Sequence, residues 1–191
     1  LKQGEVTDQK RSGRCWIFAS TNFIRYFLIK KLNIDNIELS QNYIAFYDKL
    51  EKCNYFLNSI ISTIDRPTTD RHVTFFLDNP INDGGQWDMF LNIIKKYGVV
   101  PKSAMPETYN SSNTIEVNKV LKRILRMYAY ELRTDYKNNK SLEEIENKKL
   151  EMVEKIYNIL CTAFGKPPKE FNFEYTTKKD EFFRENNITP I

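Results

Sequence analysis

The sequence of 191 residues is poor in cysteine and histidine and has no long apolar run. Its cysteines, Cys15, Cys53 and Cys161, are widely spaced and odd in number, which excludes a complete disulfide framework and a CxxC metal site. We therefore predict a reducing, cytoplasmic setting without metal or cofactor. No segment approaches the roughly 18 uncharged apolar residues of a membrane span, and the first ten residues hold no signal-peptide core, so no membrane partner is expected. Because residue 1 is not Met, we expect that the natural protein starts earlier.

The composition is that of a globular protein, with 41% hydrophobic and 14% aromatic residues. A chain of this length supports one sizeable core, or a core with an appendage. The formal charge of +4 is modest and mixed along the chain, so it permits a nucleic-acid partner without indicating one.

Hydrophobic spacing predicts a mainly helical order. A first helix runs from Cys15 to about Leu32, with apolar residues on more than one face, which is typical of a centrally buried helix. A second follows the N-cap residue Ser40 to about Leu50. Residues 54–78 are mixed, with a loop at RPTTDRH, and a short amphipathic helix follows over residues 87–97.

The second half of the chain predicts two amphipathic helices and a strand. One helix covers residues 115–133, and the other opens with a capping box of Ser141 and Glu144 and reaches about Phe164. Gly165 and two prolines end it. Phe171, Phe173 and Tyr175 then alternate as in a strand, and we expect no closing element after it.

The stretch DQKRSGRCWIFAS places Cys15 between a glycine-containing turn and a dense apolar helix. Either Cys15 is a small core residue, as most cysteines are, or it is a nucleophile at a helix N-terminus. The partial positive charge and free N–H groups of a helix N-terminus favour a thiolate anion. Six residues earlier, Gln9 carries a side-chain amide that can donate to a developing oxyanion.

Specific segments favour the second interpretation. Gln9, Cys15-Trp16, Leu39-Ser40-Gln41 and Asp83-Gly84-Gly85 resemble the active-site segments of papain-like cysteine peptidases. Together with KYGVVPKSAMPETY, KPPKEFNFEY and ITPI, they resemble the bleomycin hydrolase and aminopeptidase C branch from residue 6 to residue 191. The resemblance implies an α+β fold: the helical (left) domain over residues 1–113 with an insertion at about 54–78, a helical insertion over 114–166, and residues 167–191 opening a remainder whose β-barrel (right) domain is largely missing.

The same resemblance implies a cytosolic aminopeptidase that acts on peptides and assembles into a homohexamer. Cys15 would be the nucleophile, the Gln9 side chain and the Cys15 N–H would hold the oxyanion, and Gly84 and Gly85 would align the substrate. Asp83 would bind the substrate amine, although an Asp at this place more often caps a turn. The disulfide cysteine of secreted relatives is here Ser12, in agreement with a reducing compartment.

The family also needs a catalytic His and Asn, which it carries near the far end of its chain. The only histidine here, His72, does not match that segment, so we interpret it as an ordinary loop residue. We therefore expect an N-terminal half that is inactive alone, with His and Asn contributed from beyond Ile191.

The alternative is a catalytically inactive scaffold or nucleic-acid-binding protein on the same fold. Its candidate surface is the basic face of the helix over residues 115–133. Retention of both Gln9 and Cys15 speaks against it. Trp87 would line the cleft or, more often, enter the core, and Cys53 and Cys161 are expected to be buried and inert. The residues assigned to the basic face are Lys119, Lys122, Arg123, Arg126 and Arg133.

Overall fold

This computed structural model describes residues 4–190, and most of them are helical. Residues 1–3 and residue 191, which belong to the first and last predicted segments, lie outside the described part. In the described part, the predicted α+β class is confirmed by seven helices and a two-stranded sheet. The elements are α1 (Cys15–Leu32), α2 (Gln41–Ser62), α3 (Arg71–Asp78), α4 (Trp87–Tyr97), α5 (Tyr109–Ser112), α6 (Ile115–Lys137), α7 (Leu142–Phe164), β1 (Phe171–Thr176) and β2 (Phe182–Ile188).

Local signals set several helix ends. The Ser40 hydroxyl accepts a hydrogen bond of 3.0 Å from the Tyr43 N–H at the start of α2. The capping box of Ser141 and Glu144 opens α7, as predicted. Gly165 follows α7 with a φ of 89°, a value at which a side chain would be strained.

The core lies around α2, which packs against α1 and α4 on one side and against the α6–α7 pair on the other. Phe46, Leu57, Leu125 and Leu160 are fully buried in one continuous apolar cluster. The predicted helical insertion therefore shares its core with the helices before it, while the proposed boundary at residues 113/114 stays a prediction.

Three predicted elements differ from the structure. Helix α2 continues past Leu50 to Ser62, because Phe56 and Ile60 extend its buried face and no proline interrupts it. His72 lies in the first turn of α3, behind the N-cap Asp70, rather than in a loop. The chain also continues beyond β1: an antiparallel β2 pairs with it, so the expectation of no closing element is wrong.

The predicted central burial of α1 is correct for only one side of the helix. Ile17 and Phe18 are buried, but Phe23 is 56% exposed and Phe27 is similarly open. Trp87, at the start of α4, contacts Phe23 edge-on and is also exposed rather than in the core. The described residues thus leave an aromatic side of α1 only partly covered, because Trp87 of α4 contacts it and is itself 44% exposed.

Candidate active site

Cys15 is the first residue of α1, and its side chain is exposed. The interpretation of Cys15 as a small core residue is therefore wrong. The carbonyl oxygen of Arg14, the residue before it, accepts the N–H groups of Ile17 and Phe18. The N–H groups of Cys15 and Trp16 precede the first of these intrahelical bonds and point towards the end of the helix that carries this thiol.

The turn before Cys15 is held by a chain of side-chain contacts. The Ser12 hydroxyl donates to the Gln9 carbonyl oxygen at 2.7 Å and accepts from Arg14 Nε at 2.8 Å. The guanidinium of Arg14 then donates two hydrogen bonds, of 3.1 and 2.8 Å, to the Glu107 carboxylate. Because Arg14 is only 2% exposed, this ion pair is shielded from water. The side-chain oxygen of Gln9 is itself buried and accepts no hydrogen bond in the described residues.

Backbone hydrogen bonds join the same turn to the start of α6. The Arg11 N–H donates to the Ser112 carbonyl at 2.9 Å, and the Thr114 N–H donates to the Arg11 carbonyl at 3.3 Å. The residues that precede Cys15 are therefore attached to a second, distant part of the chain.

The segment with Gly84 and Gly85 lies beside Trp16, the residue that follows Cys15. The Trp16 indole N–H donates to the Asp83 carbonyl at 2.8 Å. A Cβ atom on Gly85 would lie 2.5 Å from the indole ring, so only glycine permits this approach. The Gly84 carbonyl accepts from Lys52 Nζ at 2.6 Å. The structure thus packs Trp16, the residue after the predicted nucleophile, against the predicted substrate-aligning segment.

The Asp83 carboxylate is already occupied by the protein. Four donors bind it: Lys49 Nζ, the Gly13 N–H at 3.3 Å, the Thr114 hydroxyl at 2.7 Å and the Asn118 amide at 2.9 Å. A carboxylate offers about four acceptor sites, so none is left for the predicted substrate amine. Burial alone would raise the pKa of Asp83, but Lys49 and these hydrogen bonds outweigh it and hold the pKa well below its ordinary value.

Three charged residues of α2 surround this carboxylate, and sequence reasoning missed all of them. Lys49 is buried and also donates to the Asn82 carbonyl at 3.0 Å. Lys52 pairs with Asp48 at 2.7 Å, and burial raises the pKa of Asp48 to about 6. The available signal was a D-K-x-x-K pattern directly after the apolar run over residues 43–47.

Other predicted candidates lie apart from this cluster. His72 is exposed and contacts Asp70 and Arg66. On the basic face, Arg126 donates to two backbone carbonyls at the end of α3. Arg133 does not belong to that face, because it is buried and donates to carbonyls at residues 63 and 66.

The remaining two cysteines differ from each other. Cys53 is fully buried, as predicted, and burial raises the pKa of its thiol to about 12. Cys161 is only partly buried, so that part of the prediction is wrong. None of the helices between residues 4 and 190 has the length and apolar character needed to cross a membrane.

Comparisons with known proteins identify the family of the chain. A family model described as the Peptidase C1-like family matches residues 1–191. The aminopeptidase C of Listeria monocytogenes is 48% identical over 186 residues, which are 97% of this chain and 42% of that protein. Human bleomycin hydrolase is 42% identical over 188 residues, which are 97% of this chain and 41% of that protein.

A solved structure shows the same fold. The crystal structure of PepW from Lactobacillus rhamnosis superposes with a TM-score of 0.95 at 44% identity, and the match covers 98% of this chain and 42% of that one. The chain therefore spans about two fifths of the length of the relatives it matches.

Proposed function

Because this chain belongs to the Peptidase C1-like family, we propose that its protein is a cysteine aminopeptidase that removes N-terminal residues from peptides. The observation that carries the proposal is the exposed thiol of Cys15 at the N-terminus of α1, next in sequence to Trp16, which packs against Gly85. Relatives named aminopeptidase C and bleomycin hydrolase, similar over nearly the whole chain, support the choice of peptide substrates.

In the proposed reaction, the Cys15 thiolate attacks the carbonyl carbon of the first peptide bond. The C–N bond breaks, the shortened peptide leaves with a proton on its amine, and water then hydrolyses the acyl-enzyme. The Gln9 amide and the Cys15 N–H donate to the oxyanion. Gly84 and Gly85 align the substrate backbone.

A thiol peptidase also needs a base, and we propose that it is not His72. That imidazole is exposed and contacts Asp70 and Arg66 rather than the Cys15 turn. His72 is the only histidine in these 191 residues, so the base and its orienting Asn would come from another part of the protein. Residues 1–191 alone are then expected to be inactive. The cytoplasmic location and the homohexamer implied by the resemblance belong to the same proposal, and sedimentation of the full-length protein tests the assembly.

The decisive experiment measures release of a fluorescent amine from aminoacyl amides by the full-length protein. Cys15→Ala should abolish turnover, and Gln9→Ala should lower kcat about 100-fold or more, the usual cost of removing one oxyanion donor. Cys161→Ala is the matched control, because Cys161 is partly exposed but lies on α7. A thiol-directed epoxide should label Cys15. Failure to label it, or turnover that survives Cys15→Ala, would rule out this function.

The alternative of a nucleic-acid-binding scaffold has less support. Two of the basic residues assigned to it, Arg126 and Arg133, are engaged with backbone carbonyls of the protein, and Lys119 pairs with Glu116. It predicts that alanine at Lys122 and Arg123 weakens salt-sensitive binding to nucleic acid. We expect that the unsubstituted protein does not bind nucleic acid, so that these alanine variants show no change.

A further inference from the structure

The Asp83 carboxylate joins three parts of the chain that lie on different sides of the candidate site. Lys49 reaches it from α2, Thr114 and Asn118 from the start of α6, and Gly13 from the turn before Cys15. The sequence separations of these contacts run from 31 to 70 residues. Its side chain is 14% exposed, so these are largely buried interactions.

Asp83 binds residues on both sides of Cys15, one through its side chain and one through its backbone. The side chain accepts the Gly13 N–H, two residues before the thiol, and the backbone carbonyl accepts the Trp16 indole N–H, one residue after it. The approach at Gly13 is close: a Cβ there would lie 2.8 Å from the Asp83 Cβ. Asp83 is also covalently adjacent to Gly84, the start of the proposed substrate-aligning segment.

From this arrangement we propose that Asp83 is a positioning residue, which sets the distance and orientation between the Cys15 thiol and the substrate backbone held at Gly84–Gly85. This inference rests on the proposed peptidase function. Asp83 acts through Gly13, Trp16 and the Gly84–Gly85 segment, and it touches neither the thiol nor the substrate.

An acid–base role does not fit the contacts. All four donors hold the carboxylate in its ionised form, and the positive partner, Lys49, is itself only 2% exposed. The groups facing Asp83 from the packed elements are Lys49, Asp48 and Lys52 of α2, the neutral Asn118 of α6 and the neutral Thr114 just before α6. The carboxylate therefore supplies a fixed charge that fastens several segments to one point.

Positioning has a kinetic signature. A displacement of about 1 Å between reacting groups costs on the order of 100-fold in rate, although the groups themselves are unchanged. The intrinsic reactivity of the Cys15 thiol towards a small reagent needs no substrate alignment. Loss of Asp83 should therefore lower peptide turnover much more than it lowers alkylation.

The test compares Asp83→Asn with Asp135→Asn in the full-length protein. Asp135 is the matched control because it is 13% exposed, also pairs with lysines, and lies on α6 with Lys140 and Lys148 as partners. For Asp83→Asn, we expect kcat on aminoacyl amides to fall about 100-fold while the iodoacetamide rate of Cys15 stays within about 3-fold. The shape of the pH–rate profile should not change. Asp135→Asn should retain wild-type kcat.

A second variant guards against misfolding, since Asp83→Asn leaves Lys49 buried without its anion. Thr114→Val removes one neutral donor and keeps that ion pair, and Thr162→Val on the surface of α7 is its control. We expect a roughly 3- to 10-fold loss of kcat for Thr114→Val alone.

Two results would overturn the proposal separately. A wild-type protein that cleaves amides, with Asp83→Asn or Thr114→Val at wild-type kcat, would refute the positioning role alone, as would alkylation that falls in parallel with kcat. A wild-type protein that neither cleaves amides nor reacts with a peptidyl epoxide would refute the proposed function and this inference with it.

Discussion

The buried pair of Arg14 and Glu107 offers the sharpest energetic prediction. Arg14 is 2% exposed, and its guanidinium donates two hydrogen bonds to a carboxylate that is 20% exposed. Glu107→Gln keeps the shape of the side chain but leaves the buried Arg14 cation without a charged partner. Removing one partner of such a pair costs about 3–5 kcal/mol, and we expect the lower end because the amide keeps one acceptor oxygen.

The assay is urea unfolding of the full-length protein followed by circular dichroism. The urea slope grows with chain length and should exceed about 3 kcal/mol/M for the full-length protein, so a loss of about 3 kcal/mol lowers the midpoint by up to about 1 M. The double variant Arg14→Met/Glu107→Gln has no stranded charge, so it should be more stable than Glu107→Gln alone. Their double-mutant cycle should give a coupling free energy above about 1 kcal/mol.

The exposed pair of Lys119 and Glu116 is the control, since both side chains are 67% exposed. Its coupling should be at most about 0.5 kcal/mol and should weaken with added salt. The Arg14–Glu107 coupling should be less sensitive to salt, because Arg14 is almost fully buried and Glu107 is only 20% exposed. Equal coupling in the two pairs would show that burial of Arg14 does not matter to stability, and the reasoning would fail.

Three further predictions follow from contacts and burial. Gly85→Ala should lower stability by about 1–3 kcal/mol and impair peptide turnover, because its Cβ would lie 2.5 Å from an indole ring. Gly84→Ala is the control: its Cβ would have its nearest atom at 3.5 Å, so thermal stability should not change. Equal losses of stability in the two variants would contradict the close packing of Gly85 on the indole. Burial raises the pKa of Asp48 to about 6, so the folded state favours the protonated carboxyl. The free energy of unfolding should therefore fall by up to about 3 kcal/mol as pH rises from about 4 to about 6. Asp48→Asn should flatten this pH dependence, and an unchanged dependence of the unfolding free energy on pH would refute the reasoning. Burial raises the pKa of Cys53 to about 12, whereas Cys15 is exposed. Brief alkylation of the folded protein at pH 8 should therefore modify Cys15 and spare Cys53, and peptide mass mapping would show this. Early modification of Cys53 would contradict its burial.

The aromatic side of α1 is only partly covered within residues 4–190. Phe23 and Trp87 meet there edge-on and remain exposed. The relatives that match this chain are more than twice as long as the matched part. Stability measurements on the full-length protein are therefore the appropriate reference for every variant above.

Short-range signals were sufficient where the interacting groups are close in sequence. The capping box of Ser141 and Glu144, the glycine after α7 and the 3.6-residue spacing of α6 predicted those helices correctly, because each depends on contacts within one or two turns. The segments around Gln9, Cys15 and Gly84 likewise indicated the family from the sequence by itself.

Tertiary structure decided what depends on distant partners. Sequence spacing placed Cys15 at a helix start but did not determine whether its thiol is exposed, which depends on the packing of other elements. Asp83 was expected at a substrate amine, yet its partners lie 31 to 70 residues away and occupy its carboxylate. Arg133 was placed on a solvated face and is buried. Burial and ion pairing are properties of segments that meet only when the chain folds, and no local pattern records which segments meet.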